Sequence, residues 1–354
     1  MVASVYFSSL VHKVKYKSPL DKIKKLLEEC NVSNIFSKND LVAIKIHFGE
    51  LGNTGFIRPI LLRPVIEKLK KIEAKPYLTD TNTLYVGSRS NSVDHLHNAN
   101  LNGFNYSTLQ VPVIIADGLR GENSCDIEVN LPIFKKVKLA NDIVNADGMV
   151  CVSHFKGHEI SGFAGTIKNL SMGCASRQGK LDMHSTTKPL VTKNCTKCGR
   201  CIKNCQFDAI EMKDKAFITT KCVGCVRCIA ICPAKAIKVN WNETSDNTQK
   251  KMIEYAYGVT KSLKQKVIYI NILANISSTC DCYVGNDKPV ISDIGYLAST
   301  DPIALDKASY DMVVKAAGED IFQKMFPNVN INTQFDYAKQ LNFGTCEYNL
   351  VEID

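Results

Sequence analysis

Two runs of cysteine limit this chain more than any other feature: Cys195-x2-Cys198-x2-Cys201-x3-Cys205 and Cys222-x2-Cys225-x2-Cys228-x3-Cys232-Pro233. The second repeats the first about 27 residues on, and each is followed by an Ala-Ile pair, 209–210 and 236–237. Fifteen Cys in 354 residues is a high count. The opening residues, 1–17, lack a basic segment followed by a long apolar core, so they read as a strand rather than an export leader. Disulfides are rare in the cytosol, and so many thiols there point to metal ligation or redox chemistry. Apolar runs such as 111–116 are far too short to span a membrane, so a cytoplasmic protein is expected.

Over about 50 residues the spacing resembles that of bacterial two-cluster ferredoxins, in which the fourth Cys of each run ligates the other cluster. Two-residue gaps let three thiolates wrap one face of a cubane, and the fourth closes it from the opposite run. Cys195, Cys198, Cys201 and Cys232 are therefore expected to hold one [4Fe-4S] cluster, and Cys222, Cys225, Cys228 and Cys205 a second. Structural zinc uses Cys-x2-Cys pairs too, but eight thiols in two runs of four fit tetrahedral sites poorly. Gln206 stands where the ferredoxin pattern has Pro, a change to a turn and not to a ligand. Residues 189–240 hold ten basic side chains against three acidic ones, a net +7 of the chain's +9. Two clusters, each adding −2 with its thiolates, bring the segment to about +3. A basic face of this kind suits an acidic electron carrier, ferredoxin or flavodoxin. Nucleic acid is not expected, because the interleaved aromatic residues of a single-strand binder are missing. Phe207 and Phe217 are expected to pack the core of the segment instead.

The rest of the chain reads as strands alternating with helices, the pattern of a mostly parallel sheet covered on both faces. Strands are expected at 3–8, 41–47, 76–80, 111–116, 148–154 and 266–273. Helices are expected after Ser18-Pro19 and Pro59, near 92–101, near 138–146, over 249–263 and after Asp301-Pro302. The fold class is thus α/β, with a split domain (1–188 and 241–354) around a small α+β insert at 189–240.

A second constellation follows the strand at 148–154. Residues 153–185 hold His154, His158 and His184, with Lys156, Glu159, Lys168, Asn169 and Cys174 among glycines 157, 162, 165 and 173. A Gly-rich turn between strand and helix offers backbone N–H groups to a phosphate or carboxylate. It is neither a Walker loop nor a dinucleotide fingerprint. Gly157 between His154 and His158 argues for a loop rather than a helical metal pair. Open α/β sheets bind ligands beyond the carboxyl ends of their strands. By that rule Lys45, His47, Gly162, Gly165 and Asp80 join the candidate ligand-binding set with Lys156 and Asn169, and His154, His158 and Lys168 are the candidate catalytic residues. Cys280-Asp281-Cys282, with Cys174, could ligate a further metal, form a redox pair or be ordinary thiols.

Segments 42–50, 78–89, 115–119, 153–174, 280–282 and 299–308, with the two cysteine runs, resemble the family catalogued as domain of unknown function 362, in its ferredoxin-bearing form. Ala164 stands where that pattern has Gly. The resemblance implies an iron–sulfur protein with an α/β domain and supplies no substrate. The expected function is an oxidoreductase passing electrons through two [4Fe-4S] clusters to a small-molecule, flavin or metal site beside 153–174. Two other readings stay open: an electron carrier whose α/β part is a docking platform, and a metal-dependent, non-redox enzyme with structural clusters.

Overall fold

The computed structural model describes residues 2–11 and 18–353, so part of the opening stretch read as a strand, 12–17, lies outside the described residues. Eight strands make the main sheet: β1 (Ala3–Ser9), β2 (Leu41–Lys45), β3 (Lys75–Asp80), β4 (Val113–Ile115), β5 (Gly148–His154), β6 (Val267–Leu273), β7 (Gly295–Ser299) and β8 (Tyr348–Glu352). Their spatial order is β8-β1-β7-β6-β5-β2-β3-β4. Only β7 runs antiparallel to its neighbours; the other pairings are parallel. The fold is α/β around a mostly parallel sheet.

Every residue of β5 and β6 is buried, as expected for central strands covered on both sides. Alternate side chains go to opposite faces. Val150, Val152, Ile268, Ile270 and Ile272 join one core, under α1 (Pro19–Glu29) and α2 (Arg63–Lys71). Met149, Cys151, Val267, Tyr269 and Leu273 join the other. The second face is covered by α4 (Thr166–Cys174), α6 (Ser245–Ser262) and α7 (Pro302–Ala317); α3 (Ser92–Leu101) precedes α4 in sequence and α5 (Arg177–His184) follows it. Two helix starts follow the sequence directly. Ser18 caps α1 by accepting from Asp21 N–H, and Asp301 caps α7 by accepting from the N–H groups of Ile303 and Ala304.

Three expectations are corrected. The helix expected near 138–146 is an antiparallel hairpin, Ser124–Glu128 with Lys136–Ala140, followed by a single turn at Asn141–Val144. Buried Val137 and Leu139 alternate with more exposed Lys136 and Lys138, a period of two rather than 3.6. Strands β7 and β8 were not foreseen. Phe207 and Phe217 do not pack a core: they are 43% and 48% exposed, and Lys213 Nζ lies 4.1 Å from the Phe217 ring centre.

Residues 189–240 fold as two short helices, Arg200–Lys203 and Arg227–Ile231, with small strand pairs Leu190–Val191/Ile237–Lys238 and Ile210–Met212/Ala216–Ile218. The sequence repeat is also a backbone repeat. Lys197, Gly199 and Asp208 are left-handed, and so are Gly224, Val226 and Lys235, each 27 residues later. The apolar cluster of the segment (Ile210, Ala216, Val226, Ile229, Ile237, Val239) takes in Leu84 and Leu181 from the larger part. Arg227 pairs with Glu122, and Gln178 Nε2 donates to Val223 O at 2.6 Å. Among the described residues no helix is long and apolar enough to cross a membrane.

Candidate functional site

Strands β2, β3 and β5 end side by side, and beyond their carboxyl ends lies a cavity of about 570 Å³. It is lined by Lys45 and His47 after β2, by Asp80, Tyr85 and Arg89 after β3, and by His154, Lys156 and His158 after β5. Gly165, Lys168 and Asn169 come from the start of α4, Cys280 and Cys282 from the β6–β7 connection. Every candidate ligand-binding or catalytic residue named from the sequence is thus brought together, with one exception. Gly162, left-handed at φ +76, packs against Ile331, where a Cβ would come within 2.3 Å of that side chain. Cys174 also stays outside: it is buried in the core beneath the cavity, with Sγ 3.8 Å from Asn169 O.

The hydrogen bonds redistribute the expected roles. His154 Nδ1 faces the Asp281 carboxylate at 2.9 and 3.1 Å, and Nε2 faces the carbonyls of Ala274 and Asn275 at 3.0 and 3.2 Å. Both ring nitrogens are occupied, so His154 holds Asp281 rather than a ligand. Lys156 Nζ binds the same carboxylate at 2.8 Å. His158 is different. Its Nδ1 accepts from the N–H groups of Ile160 and Ser161 at 3.3 Å, which puts the proton on Nε2, while Ser161 Oγ, which donates to Phe163 O, lies 3.0 Å from the same Nδ1. Nε2 lies 3.9 Å from Glu159. Lys45 Nζ joins Asp80 at 2.9 Å to Asn169 Oδ1 at 2.6 Å, and Asn169 Nδ2 donates back to Val152 O and Ser153 Oγ of β5. Arg89 is set by Glu50 and Tyr85.

The Gly-rich turn does not present a vacant anion site. The N–H groups of Thr166 and Ile167, at the start of α4, both donate to Asp306 of α7 at 2.8 Å. Gly165 permits this approach, since a Cβ there would stand 2.4 Å from Asp306 Oδ1. The anion expected at this helix start is a carboxylate of the chain itself.

Five cationic side chains line the cavity (Lys45, Arg89, Lys156, Lys168, Lys180) against the carboxylates of Asp80 and Glu159. Burial, then the charges of Lys168, His184 and Lys156, hold His158 well below the ordinary histidine range, so at neutral pH it is a neutral donor. His184 is pushed down to about 3 by burial and by Lys168. Burial alone would raise Asp80, but Lys45 and the neighbouring cations hold it far below the usual carboxylate range. The hydrogen bond from Cys282, then Lys168 and Lys156, hold the Cys280 thiol well below its ordinary value despite burial. Lys180, Trp241 and Tyr283 also line the cavity and were missed. Lys180 was legible only as half of a Gly-Lys pair that fails as a Walker motif.

Two small hollows lie in the cysteine segment. One, of about 20 Å³, is lined by Cys195, Cys198, Cys201 and Cys232. The other, of similar volume, is lined by Cys205, Cys222, Cys225 and Cys228, together with Cys201. The N–H groups of Ala209, Ala216 and Ala236 point at Cys205, Cys195 and Cys232 Sγ at 3.4, 3.5 and 3.3 Å. Among the described residues, no three His, Cys, Asp or Glu side chains are gathered as a metal ion would need.

The model of the family described as domain of unknown function (DUF362) matches residues 42–311. No curated protein matches. Among solved structures, the lactate racemase apoprotein of Thermoanaerobacterium thermosaccharolyticum is similar at 16% identity and TM-score 0.40, over 77% of this chain and 51% of that one. A structural-genomics crystal structure of a Thermotoga maritima protein is similar at 11% identity and TM-score 0.41, over 85% and 59%. The chain thus spans about half the length of the solved chains it matches.

Proposed function

The chain belongs to the DUF362 family, and from that premise we propose that it is an iron–sulfur oxidoreductase, exchanging electrons between two [4Fe-4S] clusters in 189–240 and a small anionic molecule in the 570 Å³ cavity. The observation that carries this reading is the grouping of the thiols. The two hollows are lined by the two ligand sets that cross-ligation requires, three Cys from one run and the last Cys of the other. The residues fit the group further. Backbone N–H groups already point at three of the eight sulfurs, the kind of contact that tunes cluster potential. The segment also packs on the cavity wall, since Gly224 meets Leu181 of α5, the helix that supplies Lys180 and His184.

When bound, the clusters supply one-electron steps. The chain's own residues do the rest. Lys45, Lys168 and Arg89 attract an anion, and His158 Nε2–H donates to it. Asn169, fixed by β5, orients Lys45. The largely apolar wall, with Met172, Leu84 and Trp241, keeps water away from the reacting group. Native mass spectrometry of anaerobically purified protein tests this: an anionic small molecule is expected to be retained and to be lost in Lys168→Ala with the clusters intact. Retention unchanged by Lys168→Ala and His158→Ala contradicts it.

A further inference from the structure

Cys280-Asp281-Cys282 turns at the cavity wall between β6 and β7, and separate parts of the fold hold it there. His154 and Lys156 grip the Asp281 carboxylate, while the Asp281 carbonyl accepts from Glu50 N–H at 3.0 Å. Tyr85 OH donates to Cys282 O at 3.0 Å, and Tyr283 N–H closes the turn on Cys280 O at 3.1 Å. The buried pairing of His154 and Lys156 with Asp281 therefore fixes the backbone that joins two thiols. Both thiols line the cavity, and Cys280 Sγ accepts from Lys168 Nζ at 3.0 Å. Packing alone asks for none of this. Cys151 and Cys174 are also buried, but they lie in the core without a lysine hydrogen-bonded to sulfur, and burial pushes both thiols up.

We propose that Cys280 and Cys282 form a reversible dithiol–disulfide couple in the cavity wall, which exchanges two electrons with the bound molecule. Closure joins the two Sγ atoms, releases the two thiol protons to water and passes two electrons to the bound molecule, a two-electron acceptor; opening takes up two protons and two electrons, one from each [4Fe-4S] cluster. The couple stands on this geometry, and its electron partners rest on the iron–sulfur reading above. A disulfide between residues two apart is strained, which makes it the labile, easily reduced kind. The Lys168 ammonium favours Cys280 as the attacking thiolate.

Full-length protein, purified anaerobically, is equilibrated in glutathione buffers of set potential, alkylated and digested with trypsin. The peptide 267–307 contains Cys280 and Cys282 and no other cysteine. The expected result is an all-or-none change between two labels and none, with the unlabelled form two mass units lighter, following a two-electron slope of tenfold per about 30 mV. Cys282→Ser should accumulate a glutathione adduct on Cys280 at least about tenfold above wild type, because the resolving thiol is gone, and Lys168→Met should slow Cys280 alkylation at pH 7 by about tenfold or more. Two thiols that label independently at every potential, or wild-type adducts that never resolve to the disulfide, overturn the proposal. Iron measured on the same samples separates the two ideas. Closure in protein that takes up no iron on full reconstitution keeps the couple and overturns the cluster reading, whereas bound iron with non-closing thiols does the opposite.

Discussion

His154 ends β5 and His158 lies in the short antiparallel hairpin that follows, Lys156–His158 with Gly162–Ala164, yet their ring nitrogens have different company. His154 has a carboxylate on one side and two carbonyls on the other, whereas His158 keeps Nε2–H for a ligand. His158→Ala is therefore expected to lower turnover or ligand retention about a hundredfold with little loss of stability. His154→Ala should cost roughly 2–4 kcal/mol in anaerobic chemical unfolding, because the buried Asp281 carboxylate loses a hydrogen-bond partner. The reverse order would exchange the two roles. Nothing in the sequence separates them, since what distinguishes them is a partner 127 residues away, Asp281. A third histidine carries a pH signature. His95 is fully buried without a hydrogen bond to either ring nitrogen, and burial pushes it down to about 3. Its folded pKa lies below its unfolded one, so its contribution is complete above about pH 6.5 and is lost as the pH falls toward 3, at roughly 1 kcal/mol per unit. Unfolding free energy measured from pH 7 to 4 should fall less steeply in His95→Phe than in wild type; parallel slopes would remove His95 as the cause.

Elements with strong local chemistry were legible in the sequence. Ser18-Pro19 and Asp301-Pro302 start helices because their side chains cap the N–H groups two or three residues on, and β5 and β6 are continuous apolar runs. Elements defined by a distant neighbour were not. The hairpin at 124–140 has a two-residue alternation that a short apolar window confuses with a helix, and β8 is a strand by virtue of lying along β1. The site shows the same division. Strand ends located most of the cavity residues, but the turn before α4 looked like an anion site because Asp306, which fills it, lies 140 residues on. Asp306 accepts from two helix N–H groups and from Asn271 Nδ2 at 2.7 Å. Asp306→Ala is expected to destabilise the fold by roughly 2–4 kcal/mol, since three buried donors lose their acceptor. A loss under about 1 kcal/mol, read by thermal unfolding, would mean the start of α4 finds water instead.

At the scale of the whole molecule, a basic, thiol-rich segment packs on an α/β part that carries a cationic cavity. Lys197, Lys203 and Lys213 are exposed on that segment, and an acidic electron carrier is expected to dock there. Its electron transfer to the clusters should slow severalfold as salt rises from 50 to 500 mM, and in the triple change to Glu. Rates indifferent to both would leave the lysines as solvated surface. Replacing Cys205 should disturb the cluster bound mainly by Cys222, Cys225 and Cys228, because Cys205 lines their hollow. The central claim is that the two hollows hold two four-iron clusters. Iron and acid-labile sulfide, measured per chain on anaerobically reconstituted protein with the cluster type read by Mössbauer spectroscopy, test it most directly. The account predicts about eight of each, all in four-iron clusters. About four or fewer, or zinc in place of iron after full reconstitution, would contradict it.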